Sequence, residues 1–282
     1  MRPDARVKRD AFLAGIGIRS LIMGILNVTP DSFFDSGRFF AAEAALARAR
    51  QMIADGCDIV DIGAESTRPG SKPVDEAEEM TRLDQVLANV VTLDIPLSID
   101  TTKAAVAARA LSFGVVVVND VWGLQRDPRM AEVVAEAEAA VVIMHNREEK
   151  DESVDIISDI RRFFDRSLAI AAHAGIPKHR TILDVGIGFA KSSRQNREAI
   201  LRLAELKDYG LPIMVGASRK KFLGSLSGDG IEGTLAGTLA ASLAAIAAGA
   251  AIVRVHDVAE HAAALRVFQI VRDRQILIDI SG

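Results

Sequence analysis

Leu21-Ile22-Met23-Gly24-Ile25-Leu26-Asn27-Val28-Thr29-Pro30-Asp31 opens as an apolar run and ends abruptly in a polar turn. The run is too short for an independent helix and carries no charge, and the Asn, Thr, Pro and Asp that close it are turn formers. It reads as a fully buried strand. Residues 1–20 ahead of it form an N-terminal lead-in. Behind it, the Ala-rich stretch 41–55 has helical spacing, and the next apolar run, Ile59 to Ile62, follows directly. The alternation continues through candidate strands at Leu97 to Ile99, Val115 to Val118, Ala140 to Met144, Thr181 to Leu183, Pro212 to Val215 and Ala251 to Val253. Helical stretches lie at 75–92, 103–111, 129–138, 152–174, 195–207, 234–248 and 257–275. Eight strand–helix units without a low-complexity linker predict an α/β fold, a single (β/α)8 TIM barrel over 21–282 with long loops after strands 1 and 2. A doubly wound open sheet with extra units is the alternative.

Composition narrows the function classes. With 49% hydrophobic and 26% charged residues, the 282-residue chain can bury a large core and is not a disordered linker. Its 38 acidic and 34 basic residues leave a net charge of −4, which gives no basic field for a nucleic-acid backbone. Cys57 is the only cysteine, so an intrachain disulfide and Cys-rich zinc or iron–sulfur ligation are excluded and a reducing cytoplasm is expected. The apolar run Ala11 to Ile18 is interrupted at Arg19 and lacks a cleavage site, so it does not read as a signal peptide. Thr234 to Val253 is uncharged but mostly small residues, a packed helix running into a strand rather than a membrane span.

Nearly every strand ends in polar residues: Asn27 to Asp31, Asp61 to Gly70, Asp100-Thr101-Thr102, Asn119-Asp120, His145-Asn146, Asp184 to Lys191, Ser218 to Lys221 and Arg254 to Asp257. A parallel barrel gathers these ends on one rim. Helix capping accounts for some Asp and Asn there, but not for the cations Arg68, Lys220, Arg254 and His256. Together they form a site with an anion-binding half and a half whose carboxylates read N–H donors. Gly228 to Gly233 fits a dinucleotide-binding pattern but lies far from any strand end, and Gly216 to Lys221 lacks the spacing of a phosphate-cradling loop. No histidine pair has zinc spacing, so a metal here would be hard and oxygen-bound, such as Mg²⁺.

Long segments carry a family resemblance: Met23 to Phe33, Asp61 to Gly70, Ser98 to Thr101, Asn119-Asp120, Ser218-Arg219-Lys220 and Arg254-Val255-His256. On these the chain resembles the dihydropteroate synthase family of folate-pathway transferases, which are (β/α)8 barrels. The resemblance implies that a hydroxymethyl-dihydropterin diphosphate loses pyrophosphate and that p-aminobenzoate attacks the exposed methylene. It assigns Asp100, Asn119, Asp184 and Lys220 to the pterin. Asn27, Thr67, Arg254 and His256 fall to the diphosphate, with Asn27 the Mg²⁺ ligand. Phe33, Thr67, Arg68, Pro69, Phe189 and Ser218 fall to p-aminobenzoate, and Lys220, Arg254 and His256 to catalysis. Small-molecule substrates and a homodimer are the implied partners, with the helix at 234–248 one candidate surface.

The chain departs from the family pattern at Val185, where proline is usual, and at Ala190, where glycine is usual. His145 is followed by Asn146-Arg147-Glu148 without the glycine often found there, so it is read as a structural histidine. Three other readings compete: a pterin-binding methyltransferase barrel, a Schiff-base aldolase using Lys220, and an inactive pterin-binding or regulatory subunit. The cations at the seventh and eighth strand ends argue against the first of these.

Overall fold

A computed structural model describes residues 1–28, 38–65, 74–227 and 234–272. Each apolar run is a strand: β1 (Leu21–Asn27), β2 (Ile59–Gly63), β3 (Leu97–Asp100), β4 (Val117–Asp120), β5 (Ala140–Met144), β6 (Thr181–Asp184), β7 (Ile213–Val215) and β8 (Ile252–Val255). All neighbours pair in parallel, and β8 returns to β1 with Leu21 opposite Ile252 and Met23 opposite Arg254, which closes the barrel. The fourth strand starts two residues later than its apolar run. Val115 and Val116 are buried in the approach to it, and Asn119 and Asp120 are strand residues.

The outer layer consists of α2 (Arg38–Ala54), α3 (Glu76–Val90), α4 (Ala104–Phe113), α5 (Met130–Glu136), α6 (Ile156–His173), α7 (Ser193–Leu201), α8 (Lys221–Ser227), α9 (Leu235–Ala248) and α10 (Val258–Arg272). Helix α2 begins within the first loop as read from sequence, and the stretch 195–207 divides into α7 and a 3-10 turn, Leu203–Tyr209. Helix α8 has no counterpart among the expected helices. Caps start several of these helices. Asp75 accepts from the Glu78 N–H at 2.8 Å, Asp155 from Ser158 at 2.9 Å, and Ser192 with Gln195 forms a capping box.

The lead-in contains one more helix, α1 (Pro3–Gly15), which seals the end of the barrel where the strands begin. Its Phe12 and Ala5 join Leu21, Met23, Ile59, Val117, Ala140, Val142, Ile182, Met214 and Ile252 in one inner apolar cluster. Basic side chains of α1 and of Arg2 at its N-cap fasten it to carbonyls in the turns that feed the strands. Lys8 donates to Leu93 O at 2.7 Å, Arg2 to Phe113 O at 2.7 Å, and Arg9 to Glu138 O.

Alternation along each strand separates two environments. One set, including Leu26, Val60, Ile62, Ile99, Val118, Ile143, Leu183 and Val253, packs outward beneath the helices. The other set points inward, apolar near the α1 plug and polar toward the opposite rim. Among the described residues no helix is long and apolar enough to cross a membrane.

Candidate active site

Buried beneath the polar rim, Asp61 of β2, Asp100 of β3, Asn119 of β4 and Arg254 of β8 form one bonded group. The Arg254 Nε donates to Asp61 Oδ2 at 2.6 Å and its Nη2 to Asp100 Oδ2 at 2.6 Å. Asn119 Nδ2 donates to the same Asp61 Oδ2 at 3.0 Å. The three acceptor side chains are buried. Among the described residues Asp61 Oδ1, Asp100 Oδ1 and Asn119 Oδ1 have no hydrogen-bond partner, and neither does the neighbouring Ser98 Oγ. Unpaired buried acceptors are expensive unless a ligand completes them, so the group is built to receive N–H donors. Burial pushes the Asp100 carboxyl up to about 7 despite the guanidinium beside it.

Asp184 ends β6 and is also buried. Its Oδ1 accepts from the Gly186 N–H at 2.8 Å, and burial raises its pKa against the pull of Arg254, Lys191 and Lys220. The loop after it winds around Lys191, whose buried ammonium donates to Gly186 O at 2.7 Å and Phe189 O at 3.3 Å. Ala190 sits at φ 43°, a left-handed conformation that explains why glycine suits this position, and the loop nevertheless closes. The Lys220 ammonium lies 4.4 Å from the centre of the Phe189 ring. Gly188 makes that approach possible, since a Cβ there would come within 2.9 Å of Lys220 Cδ.

Ser218 follows β7 and His256 follows β8. The Ser218 Oγ accepts the His256 backbone N–H at 3.2 Å and lies 3.0 Å from His256 Nδ1. The hydroxyl can donate to Nδ1 or accept from it, so this contact orients the His256 ring and leaves Nε2 as its other ring nitrogen. Arg219 is tied to Asp257 instead. Asn27 ends β1 opposite Gly63, half-buried. The expected residues Phe33, Thr67, Arg68 and Pro69 lie outside the described residues.

Sequence reasoning left three features out. Asp61, a charge inside an otherwise apolar strand, was quoted as a motif residue but given no role, although that placement is a signal in itself. Lys191 is a second: its structural duty depends on carbonyl positions that no pattern encodes. The third is the cluster in which Lys103 bridges Glu65 and the fully buried Glu79, each at 2.5 Å, while Glu65 also accepts from the Val74 N–H at 3.2 Å. Glu65 and Val74 flank residues 66–73, so this cluster holds the described ends of the second loop. His145 is structural as expected. It is buried, Nε2 lies 3.2 Å from Asp159, its ring stands on Phe163, and burial lowers its pKa to about 3. Asp120 is a turn residue that accepts from the N–H groups of Trp122 and Leu124.

A family model for pterin binding enzymes matches residues 23–256. The dihydropteroate synthase of Bacillus subtilis (strain 168) is 42% identical over 245 residues, which cover 86% of this chain and 86% of that protein. The structure of dihydropteroate synthase from Clostridium difficile in the presence of pteroic acid is similar with a TM-score of 0.87 and 46% identity, covering 91% of this chain and 98% of that one. The structure from Xanthomonas albilineans in complex with 7,8-dihydropteroate gives a TM-score of 0.80 at 35% identity, with 90% and 93% covered.

Proposed function

This chain belongs to the pterin-binding enzyme family as a dihydropteroate synthase, and from that premise we propose how its own residues perform the reaction. 6-Hydroxymethyl-7,8-dihydropterin diphosphate and p-aminobenzoate give 7,8-dihydropteroate and pyrophosphate. The observation that carries the assignment is the set of unpaired buried acceptors on Asp61, Asp100 and Asn119. A pterin presents adjacent N–H donors on its pyrimidine edge, and Asp184 adds a further carboxylate. Lys220, stacked on Phe189, faces the same ring from the rim.

The methylene carbon loses its C–O bond to the diphosphate as the arylamine lone pair forms the C–N bond, and the amine then gives up a proton. An arylamine is unprotonated at neutral pH, so the protein supplies position and charge stabilisation rather than a strong base. His256, oriented by Ser218, binds the departing oxygens together with Arg254 and Thr67. Phe33, Thr67, Arg68, Pro69, Phe189 and Ser218 hold p-aminobenzoate.

Among the described residues no cluster of three or more His, Cys, Asp or Glu side chains could hold a metal. One carboxamide at the end of β1 fits Mg²⁺ nonetheless, because this ion keeps waters and takes phosphate oxygens from its substrate. Asn27 would hold it, and it would supply charge neutralisation on the leaving pyrophosphate. A homodimer is supported by Leu235 on α9 and Val267, Ile270 and Val271 on the adjoining α10, all exposed.

The test is turnover with both substrates, following pyrophosphate and dihydropteroate together. Equal molar release of the two, lost on adding a chelator and regained with Mg²⁺, is the expected result. Pterin binding without condensation would leave an inactive binding subunit as the correct reading.

A further inference from the structure

Asp61 touches two neighbours through a single oxygen. The Oδ2 that receives the Arg254 Nε at 2.6 Å also receives Asn119 Nδ2 at 3.0 Å. An oxygen engaged with a guanidinium offers lone pairs only, so the side of the Asn119 amide that faces it must be the NH₂. That fixes the amide: Asn119 Oδ1 is turned away from Asp61, and it is buried and without a partner among the described residues. The oxygens left for a ligand, Asn119 Oδ1 with Asp100 Oδ1 and Asp61 Oδ1, are therefore all acceptors. Without Asp61 the amide could rotate and show a donor at the same place.

We propose that Asp61 determines specificity by locking the Asn119 amide with its oxygen toward the ligand, so that the site selects a 2-amino pterin ring over its 2-oxo counterpart. This rests on the pterin reading above. Exchanging the ring's exocyclic amino group for an oxo group turns a donor into an acceptor, and two lone-pair-bearing oxygens then meet in a buried site. Sites built around such hydrogen bonds reject the mismatched analogue strongly, because their own buried groups go unpaired.

The experiment measures, by calorimetry on the full chain, the affinities of 6-hydroxymethylpterin and of the corresponding 2-oxo ring, 6-hydroxymethyllumazine. Wild type favours the pterin. Asp61→Leu removes the acceptor that holds the amide, and the ratio of the two affinities falls by at least about tenfold. Asp61→Asn can place an amide oxygen where Oδ2 lies, and it keeps the ratio within about threefold of wild type whatever the absolute affinities. If Asp61→Leu does not fold, Asp61→Ala reads the same ratio, because water in the vacated space can present a donor or an acceptor to Asn119. A purely structural role for Asp61 lowers both affinities together and leaves the ratio fixed, which overturns the inference. A ratio that falls as far in Asp61→Asn as in Asp61→Leu assigns the effect to charge and also overturns it. Wild-type protein that binds neither ring removes the pterin reading and this inference with it.

Discussion

Asp100 places opposite demands on the free protein and on its complex, and pH separates them. Burial holds its carboxyl at about 7, against 3.8 for an ordinary aspartate, with Arg254 and Lys220 pulling down and Asp61 and Glu79 pushing up. Between those two values the folded chain keeps a proton that the unfolded chain has released. The contribution of this group to stability is therefore full below about pH 4 and is lost as pH rises through about 7. Each pH unit in that window is worth about 1.4 kcal/mol, or about 4 kcal/mol across it. Ligand binding runs the other way. Because Oδ2 accepts from Arg254, the proton of the neutral acid falls on Oδ1, the oxygen a ring N–H would use, so pterin affinity falls by up to about tenfold for each unit below pH 7. Asp100→Asn has no proton to exchange. Its stability relative to wild type should rise by about 1.4 kcal/mol per unit between pH 5 and 7, and its pterin affinity, though weak, should lose the slope. Urea denaturation and calorimetry on both proteins at pH 5 to 8 measure the two trends. A stability difference that does not change with pH would show that Asp100 titrates alike in both states, and that the barrel mouth does not desolvate it.

Asp184→Asn keeps an oxygen for the Gly186 N–H but loses the charge and one acceptor, so pterin affinity should drop at least about tenfold with little change in melting temperature, as read by calorimetry and thermal melts. Arg254→Met strands Asp100 Oδ2, leaves Asp61 Oδ2 with the Asn119 amide alone, and should cost about 3–5 kcal/mol at pH 8 in urea unfolding. It should weaken a phosphate-free pterin as well as the diphosphate, and loss confined to the diphosphate would mean that the guanidinium does not hold the ring carboxylates. Phe12→Ala empties part of the inner cluster beneath the barrel and should lower stability by about 3–5 kcal/mol, with kcat/KM changed less than about twofold, because the plug lies at the end opposite the site.

The barrel was legible because a buried parallel strand needs a short uninterrupted apolar run and its helix needs a different period, and each of the eight units has both. Where a run has no internal contrast, the reading drifts. Val115-Val116-Val117-Val118 contains nothing to mark where pairing starts, and Asn119 and Asp120 resemble a strand end although both are in β4. Helix α1 was missed for another reason. Pro3–Gly15 mixes five charged residues with mostly small apolar ones, and the carbonyls that hold Arg2, Lys8 and Arg9 belong to turns far away in sequence. In the site, Asp100, Asn119, Asp184, Lys220 and Arg254 could be placed on one rim from strand ends alone. The pairing of Arg254 with Asp61 and Asp100 could not, since it depends on the stagger between β8, β2 and β3 after closure. Sequence reasoning made Arg254 a clamp for the diphosphate. Its bonds to both carboxylates give it a second duty beneath the ring.

That second duty bears on how the substrate enters. Deep in the mouth lie three carboxylates, Asp61, Asp100 and Asp184, with the Arg254 guanidinium among them. Nearer the rim lie Lys220 over Phe189 and His256 beside Ser218. Charge therefore runs from negative at depth to positive at the rim. A substrate with a donor-rich ring at one end and a diphosphate at the other is sorted by this gradient. Entering ring first, it completes the unpaired acceptors and leaves its phosphates among the cations. Entering phosphate first, it would bring several negative charges against buried carboxylates in a medium that screens poorly, a like-charge mismatch costing several kcal/mol. Arg254 alone cannot reverse that field, because its single positive charge already faces the carboxylates of Asp61 and Asp100, although N–H groups not used on them are left for a phosphate. The same pairing that keeps the carboxylates buried and ionisable thus also points the reactive methylene outward, toward the second substrate.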